Sequence, residues 1–207
     1  MHILKFDSIG PWLDARKGRI TGSRLKDIEP KKNGEKKIEF YKVLSERLLD
    51  PSHEEPKDEN TMQRGNRLEE RALDLYRKQE MREITSDLEL WVREDNEFMA
   101  VSPDGVTLDR TGAVEAKCLN PARHLEVLLT NTIPEEYEYQ GRQYFIVNDK
   151  LEWIDFCFYE PRLRIADKFF VKRVNRADIL SKLEETAVME RDQLNQIDEI
   201  AKRLLAK

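Results

Sequence analysis

The 207-residue sequence contains only two cysteines, Cys118 and Cys157, and three histidines. Two thiols cannot supply the four ligands of an iron–sulfur cluster or of a structural zinc site. The histidines, His2, His53 and His124, lie far apart in the sequence and form no ligand pattern. Because each cysteine lies in an apolar, strand-like run, the pair indicates a reduced setting and no disulfide framework.

Long apolar runs are also missing. No stretch approaches the roughly 18–20 consecutive apolar residues that a membrane-spanning helix needs. The first residues, Met-His-Ile-Leu-Lys-Phe-Asp, lack the arrangement of a secretory signal. These absences predict a cytoplasmic protein with no membrane segment, and the length allows one domain with its own core.

An excess of positive charge is also missing, since 36 Lys or Arg against 41 Asp or Glu give a net charge of −5. Its distribution is uneven, because residues 1–50 contain twelve Lys or Arg against eight Asp or Glu, whereas residues 51–100 contain eight against fourteen. Contacts to a phosphate backbone would therefore depend heavily on the N-terminal quarter. The alternative is that the lysines at 31, 32, 36 and 37 only decorate a loop.

Hydrophobic periodicity and turn residues predict helices, a run of strands, further helices, two strands and a final helix or helix pair. Helices are expected from Thr21 to before Pro30, and at Lys37–Leu49, Thr61–Gln79, Pro121–Leu129, Pro134–Val147 and Ala177–Leu205. Strands are expected at Ile84–Val92, Phe98–Val101, Val106–Leu108, Ala113–Cys118, Leu151–Phe158 and Lys168–Val174, and a polar loop at 51–59.

This order of elements predicts an α/β or α+β fold with a mixed central β-sheet flanked by helices. A single domain would span the 207 residues. It would have a helical part at about 1–80, the sheet with its helices at about 81–175, and a helical segment at about 176–207.

The segment from Val101 to Cys118 is the most informative, because it contains Ser-Pro-Asp-Gly followed by Val-Glu-Ala-Lys. Two carboxylates, Asp104 and Glu115, can hold a hard cation such as Mg²⁺, which can polarise a phosphate and activate a water. Lys117 would lie on the same strand face as Glu115, because strand side chains alternate. The pattern indicates a metal-dependent phosphodiesterase, and the alternative is an ordinary turn before a half-exposed strand.

The local geometry can be predicted from residues 109–112, Asp-Arg-Thr-Gly, which are typical of a hairpin turn. With the two middle residues at the centre, Asp104 would pair with Lys117, and Val106 with Glu115. The side chains at 104, 115 and 117 would then share one face, at separations of roughly 5–8 Å.

Three further segments accompany this pattern in a fixed order. They are Trp12-Leu-Asp-Ala-Arg16 with Ile20-Thr-Gly-Ser23, Arg64-Gly-Asn-Arg-Leu-Glu69, and Tyr137-Glu-Tyr-Gln140-Gly-Arg-Gln-Tyr144. With them, the chain from about Trp12 to Val174 resembles the lambda-type phage exonucleases, also called YqaJ-like viral recombinases or alkaline exonucleases, in the PD-(D/E)XK nuclease superfamily. The resemblance implies a restriction-endonuclease-like PD-(D/E)XK core.

The resemblance also implies roles at the strand pair. Asp104 and Glu115 would be metal ligands, together with the backbone carbonyl of Ala116. Lys117 would orient or activate the attacking water. Mg²⁺ would be the cofactor, with Mn²⁺ as a substitute.

On the helices, Glu69 and Gln140 would face the active site. Arg16 and Ser23 would contact the 5′-phosphate of a DNA end, and an arginine beside a helix start can form a phosphate site. The alternatives are a solvated glutamate, a half-buried glutamine, and an N-cap with a surface arginine. Gln143 departs from the family pattern, in which the second glutamine follows two residues after the first, so its role stays open.

The function implied is a 5′-to-3′ exonuclease that acts on double-stranded DNA ends and leaves 3′ overhangs for recombination by strand annealing. A homotrimeric ring, a single-strand annealing partner, and a phage or prophage gene in a bacterial host are implied as well. One alternative is an endonuclease of the same superfamily, restriction or junction-resolving, against which Arg16 and Ser23 argue. Another is a non-catalytic DNA-binding relative, against which the intact Asp104, Glu115 and Lys117 argue.

Overall fold

The computed structural model describes residues 1–49 and 59–206, and within 59–67 only the course of the backbone. The helices are α1 Ile9–Arg16, α2 Leu25–Ile28, α3 Ile38–Leu48, α4 Glu59–Gln79, α5 Pro121–Thr130, α6 Glu135–Val147 and α7 Leu180–Leu205. The strands are β1 His2–Lys5, β2 Ile84–Thr85, β3 Glu89–Arg93, β4 Asn96–Val101, β5 Gly105–Thr107, β6 Gly112–Lys117, β7 Trp153–Tyr159 and β8 Phe169–Asn175. The loop predicted at 51–59 falls almost entirely on residues outside the described part.

The strands form two sheets. A five-stranded sheet has the order β2-β5-β6-β7-β8, in which β6 and β7 are parallel and the other neighbours antiparallel. This confirms the predicted mixed sheet flanked by helices. The strands β1, β3 and β4 form a separate antiparallel sheet that was not predicted.

The prediction of one strand at Ile84–Val92 is wrong, because β2 and β3 belong to different sheets. The exposed Ser86 and Asp87 separate them. The predicted helix starting at Thr21 is shorter than expected, since residues 21–24 form a turn and only Leu25–Ile28 is helical. Helix α1 was not predicted, and it buries no residue completely.

The β5–β6 hairpin keeps the predicted faces but not the predicted register. Val106 pairs with Ala113 rather than with the residue at 115. The turn is longer than expected because the Asp109 carboxylate accepts hydrogen bonds from the Thr107 hydroxyl (2.6 Å) and the Thr111 N–H (3.1 Å). Arg110 has φ +60° in the same turn. Since the register differs by an even number of residues, the side-chain faces are unchanged.

Strand β6 divides its side chains between two layers, as strand alternation requires. Val114 and Ala116 face α4, where they join a cluster with Ala72, Leu73 and Tyr76. Burying each large apolar side chain of such a cluster stabilises the fold by roughly 1.5–3 kcal/mol. The opposite face of β6 carries Glu115 towards α6, which places a carboxylate between strand and helix.

Helix α6 packs against both sheets. A Cβ on Gly141 would lie 3.4 Å from the ring of Phe156 on β7, so the helix lies close to the strand. On the other side, the rings of Tyr144 and Trp91 on β3 meet edge to face, with centroids 6.3 Å apart. No helix in the described ranges is long and apolar enough to cross a membrane.

Candidate active site

A cleft of about 650 Å³ lies beside α1, residues 21–23, α4 and the ends of β4 and β6. Every side chain proposed for catalysis or for end binding lines it: Arg16, Ser23, Glu69, Asp104, Glu115, Lys117 and Gln140. These residues are far apart in sequence, and the fold brings them into one cavity. Their individual roles stay predictions.

Glu115 is buried at the base of this arrangement, and both of its oxygens are held. Oε1 accepts hydrogen bonds from Gln140 Nε2 (2.5 Å) and Lys117 Nζ (2.7 Å). Oε2 accepts one from the Tyr144 hydroxyl. The carboxylate is therefore fixed in orientation by β6 and α6 together.

Asp104 lies opposite, in the segment between β4 and β5. Its Oδ2 accepts a hydrogen bond from the backbone N–H of Ala116 (2.8 Å), which ties the two strands together next to Glu115. Burial, and then the neighbouring Glu115, raise the pKa of Asp104 well above its usual value. The site thus collects negative charge that its own hydrogen bonds do not fully offset.

Lys117 and Glu69 complete the electrostatic environment. Burial lowers the pKa of Lys117, but the carboxylates of Glu115 and Asp104 outweigh it and raise that pKa above its usual value. The ammonium lies 4.8 Å from the centroid of the Tyr137 ring. Burial raises the pKa of Glu69, and the negative charge of Glu115 raises it further.

The donor set fits a hard divalent cation. In the described part of the chain, no three acidic, histidine or cysteine side chains converge as a ready-made metal cage. Mg²⁺ does not require one, because it is usually bound by one or two carboxylates, with waters and substrate phosphates as the other ligands. Glu115, which is buried, and Asp104, which is half-buried, match that description.

A smaller cavity of about 190 Å³ adjoins the cleft and shares Arg16, Thr21 and Ser23 with it. The Arg16 guanidinium lies over the Trp12 ring, 4.2 Å from its centroid. Burial lowers the pKa of Arg16, against the opposing charge of Glu115. A guanidinium and a hydroxyl beside a small cavity can receive a phosphate group.

Other basic residues of the N-terminal quarter are engaged within the molecule. Arg24 also borders the smaller cavity, but it contacts Glu39 (2.6 Å) and Glu46 (2.5 Å). Lys36 donates a hydrogen bond to Gln193 on α7 (2.8 Å). The positive charge of this quarter is therefore partly used to hold α2, α3 and α7 together.

Comparison with protein-family models matches residues 11–150 to the YqaJ-like viral recombinase domain. The chain belongs to this family. Similar solved structures include the alkaline exonuclease LHK-Exo from Laribacter hongkongensis, which is 27% identical, with a TM-score of 0.78 over 96% of this chain and 98% of that chain. LHK-Exo in complex with dAMP matches at 26% identity and a TM-score of 0.77, over 96% and 99%.

A phage-related exonuclease from Haemophilus somnus 129PT shares the fold at 16% identity, with a TM-score of 0.59 over 87% of this chain and 95% of that chain. Among curated proteins, none matches significantly. This member of the YqaJ-like family thus has the predicted PD-(D/E)XK fold of the lambda-type phage exonucleases.

Two features of this family member's site were missed by sequence reasoning. Tyr144 was not among the predicted site residues, although its spacing of four from Gln140 places both on one helix face. Gly22 was given no role of its own within the segment Ile20-Thr-Gly-Ser23. A Cβ there would lie 2.9 Å from Cγ of Gln140, so the glutamine side chain passes directly over the glycine.

Proposed function

We propose that this protein is a Mg²⁺-dependent exonuclease that degrades one strand of duplex DNA from its 5′ end and leaves 3′ single-stranded overhangs. The observation that carries the proposal is the meeting of Asp104, Glu115 and Lys117 with Arg16 in one cleft. Membership of the YqaJ-like family and the likeness to LHK-Exo support exonuclease activity. The metal and the 5′-to-3′ polarity rest on the roles predicted for these residues.

Asp104 and Glu115 would hold the cation, with the Ala116 carbonyl as a further ligand. Mg²⁺, when bound there, would supply positive charge to the scissile phosphate and acidify the attacking water. Gln140 and Tyr144 keep the Glu115 carboxylate in place, because each occupies a different oxygen. Such preorganisation avoids rearrangement during the reaction.

Lys117 remains a cation, since the neighbouring carboxylates raise its pKa. It therefore orients the attacking water as a hydrogen-bond donor and stabilises the negative charge that develops on the phosphate. The water's proton goes to solvent or to a carboxylate at the rim. Glu69 is suited to accept it, because its own pKa is raised by burial and by Glu115.

Arg16 and Ser23 would bind the terminal 5′-phosphate in the smaller cavity. This placement would set the scissile bond beside the carboxylates and would favour ends over internal sites. LHK-Exo forms a complex with dAMP, a nucleotide of the kind that stepwise cleavage would release. A restriction or junction-resolving endonuclease would have no use for such a terminal site.

The chemistry can be tested with Asp104→Asn, Glu115→Gln and Lys117→Met. Each variant is expected to cleave linear duplex about a thousandfold more slowly than the parent in Mg²⁺. The two carboxylate variants lose a metal ligand, and Lys117→Met loses the positive charge that orients the attacking water. Chelation by EDTA should stop the parent, and added Mg²⁺ or Mn²⁺ should restore it. The matched control is Glu126→Gln, an exposed carboxylate on α5.

Thermal melts would show that the variants are folded. Near-parental cleavage by any two of the three would contradict the proposed site. Equal digestion of circular and linear duplex would instead favour the endonuclease alternative.

We also propose a homotrimeric ring and a single-strand annealing partner for the overhang. A chain of net charge −5 holds DNA weakly by electrostatics alone. Closure around the duplex would keep it attached without strong attraction. A cyclic trimer needs a head-to-tail interface between different patches of each subunit.

A further inference from the structure

Helix α6 holds two parts of the cleft at once. Through Gln140 and Tyr144 it fixes both oxygens of Glu115. Through Gln143, which does not line the cleft, it reaches the backbone of the segment that leads to Ser23. The helix therefore connects the predicted metal site to the predicted 5′-phosphate site.

The contact with this segment is made at Ile20. Its N–H donates to the Phe98 carbonyl (2.8 Å), and its carbonyl accepts from the Ala100 N–H (3.0 Å), which joins it to β4. The same carbonyl accepts a hydrogen bond from Gln143 Nε2 (3.1 Å). Ile20 lies between Arg16 and Ser23 in the sequence, so this junction anchors the segment that connects the two residues.

Gln143 is itself held from behind by Glu190 on α7. Gln143 Nε2 donates to Glu190 Oε1 (2.7 Å), and both side chains are fully buried. The other oxygen of each, Gln143 Oε1 and Glu190 Oε2, is buried without a partner. A proton on Glu190 Oε2 would supply the donor for Gln143 Oε1, and an amide and a carboxylic acid then form two hydrogen bonds.

The electrostatics agree with a neutral carboxyl. Burial raises the pKa of Glu190 to about 8, against the hydrogen bond from Gln143 and the charges of Arg93 on β3 and Arg191 on α7. An ionised carboxylate here would leave a buried charge with little compensation. Below this pKa the protonated form of Glu190 is favoured, and Gln143 and Glu190 can then form both hydrogen bonds.

We propose that Gln143, locked by neutral Glu190, is a positioning residue that sets the distance between the 5′-phosphate site and the metal site. This inference rests on the proposed function, because it assigns Arg16 and Ser23 to the DNA end. Gln143 does not line the cleft in which DNA and metal would bind. It acts through Ile20, and its partner Glu190 belongs to α7, which lies outside the family-matched residues 11–150.

The test compares Gln143→Met with Gln193→Met. Both remove a buried, hydrogen-bonded glutamine, but Gln193 contacts Lys36 rather than the cleft. Q143M is expected to lower the ratio of kcat/KM on 5′-phosphoryl over 5′-hydroxyl duplex by about tenfold or more, since a small misplacement is costly. The change should lie in KM for phosphorylated ends, with kcat on hydroxyl ends little altered, and Q193M should keep the parental ratio.

A second readout is independent of cleavage. Hydrogen exchange measured on the peptide 18–25 should rise selectively in Q143M and stay parental in Q193M. Glu190→Gln should preserve both readouts, because an amide can make the same two hydrogen bonds without titrating. If Q143M does not fold, Glu190→Leu, which leaves Gln143 without its partner, should give the same changes.

The pair also predicts a pH effect. The folded-state pKa of Glu190, about 8, lies above the ordinary glutamate value of 4.5. Stability from this group is therefore full below pH 4.5 and is lost as pH rises towards 8. Between pH 6 and pH 9, the Tm of the parent should fall further than the Tm of E190Q.

A folded Q143M with parental end preference and parental exchange would overturn the inference, as would an equal change in Q193M. A parent that cleaves no DNA would defeat the proposed function instead, and the exchange and Tm measurements would still decide on the pair.

Discussion

At the residue scale, Gly22 lies beneath the side chain of Gln140, and there is no room for a Cβ at this position unless Gln140 moves. A Cβ at Gly22 would approach Gln140 Cγ to 2.9 Å and Val101 Cγ2 to 3.4 Å. Gly22→Ala is therefore expected to push Gln140 away from Glu115 and to lower kcat about tenfold or more. Steady-state kinetics with a thermal melt would measure this.

The matched control for that substitution is Gly10→Ala on α1, where a Cβ would meet nothing within 4 Å. It should leave kcat unchanged. A Gly22→Ala variant with parental kcat would show that Gln140 does not need this path to Glu115.

At the residue scale, the sequence predicted what short-range spacing encodes. Asp104, Glu115 and Lys117 could be read from one hairpin, because strand alternation fixes their common face. The contact of Tyr144 with Glu115 depends on how α6 docks against β6, and that of Gly22 with Gln140 on how α6 docks against residues 20–22. That docking is a tertiary arrangement, which no local pattern specifies.

At the scale of elements, an ion pair between a buried carboxylate and a half-buried arginine links the two sheets. Glu89 on β3 accepts two hydrogen bonds from Arg110 in the β5–β6 turn (2.8 and 2.9 Å). Its side chain is 1% exposed. The Arg110 contact is the leading cause that lowers the pKa of Glu89 to about 2, with Trp91 adding a further hydrogen bond.

Arg110→Ala should destabilise the fold by about 1–3 kcal/mol, because it removes the main partner of the buried Glu89 while Lys5 and Trp91 remain. The folded-state pKa of Glu89 lies below the ordinary glutamate value of 4.5, so its stabilisation is present above pH 4.5 and is lost as pH falls towards 2. Urea unfolding at pH 7 and pH 3 would measure both effects. The variant should also lose less stability than the parent on acidification.

The control is Lys31→Ala, whose partner Glu35 is exposed, and which should cost less than about 1 kcal/mol. An Arg110→Ala variant as stable as this control would remove the ion pair from the account of how the sheets are joined.

The elements themselves were mostly predictable, with informative failures. Helices α3 to α7 follow strong apolar periodicity or clear end signals, such as Asn120, whose side chain accepts from the Arg123 N–H (2.9 Å) at the start of α5. Residues 84–92 read as one strand because partner choice is decided by tertiary pairing. The predicted register of the β5–β6 hairpin was wrong because the side chain of Asp109 stabilises a longer turn.

At the scale of the whole molecule, the proposed ring predicts both mass and persistence. Light scattering should give a homotrimer of the 24.5 kDa chain. A digestion challenged with excess competitor DNA after initiation should continue on the original duplex, since a closed ring does not dissociate with each step. A monomer that stops on challenge would defeat the ring and leave the nuclease assignment standing.

The most direct test of the central claim is digestion of a linear, 5′-phosphorylated duplex labelled on one strand at the 5′ end or at the 3′ end. In Mg²⁺, the 5′ label should leave at once as a mononucleotide, while the 3′-labelled strand shortens progressively. Arg16→Ala should slow this on phosphorylated ends more than on hydroxyl ends, because a guanidinium grips a terminal phosphate. Release of the 3′ label first, or cleavage that does not require Mg²⁺, would contradict the account.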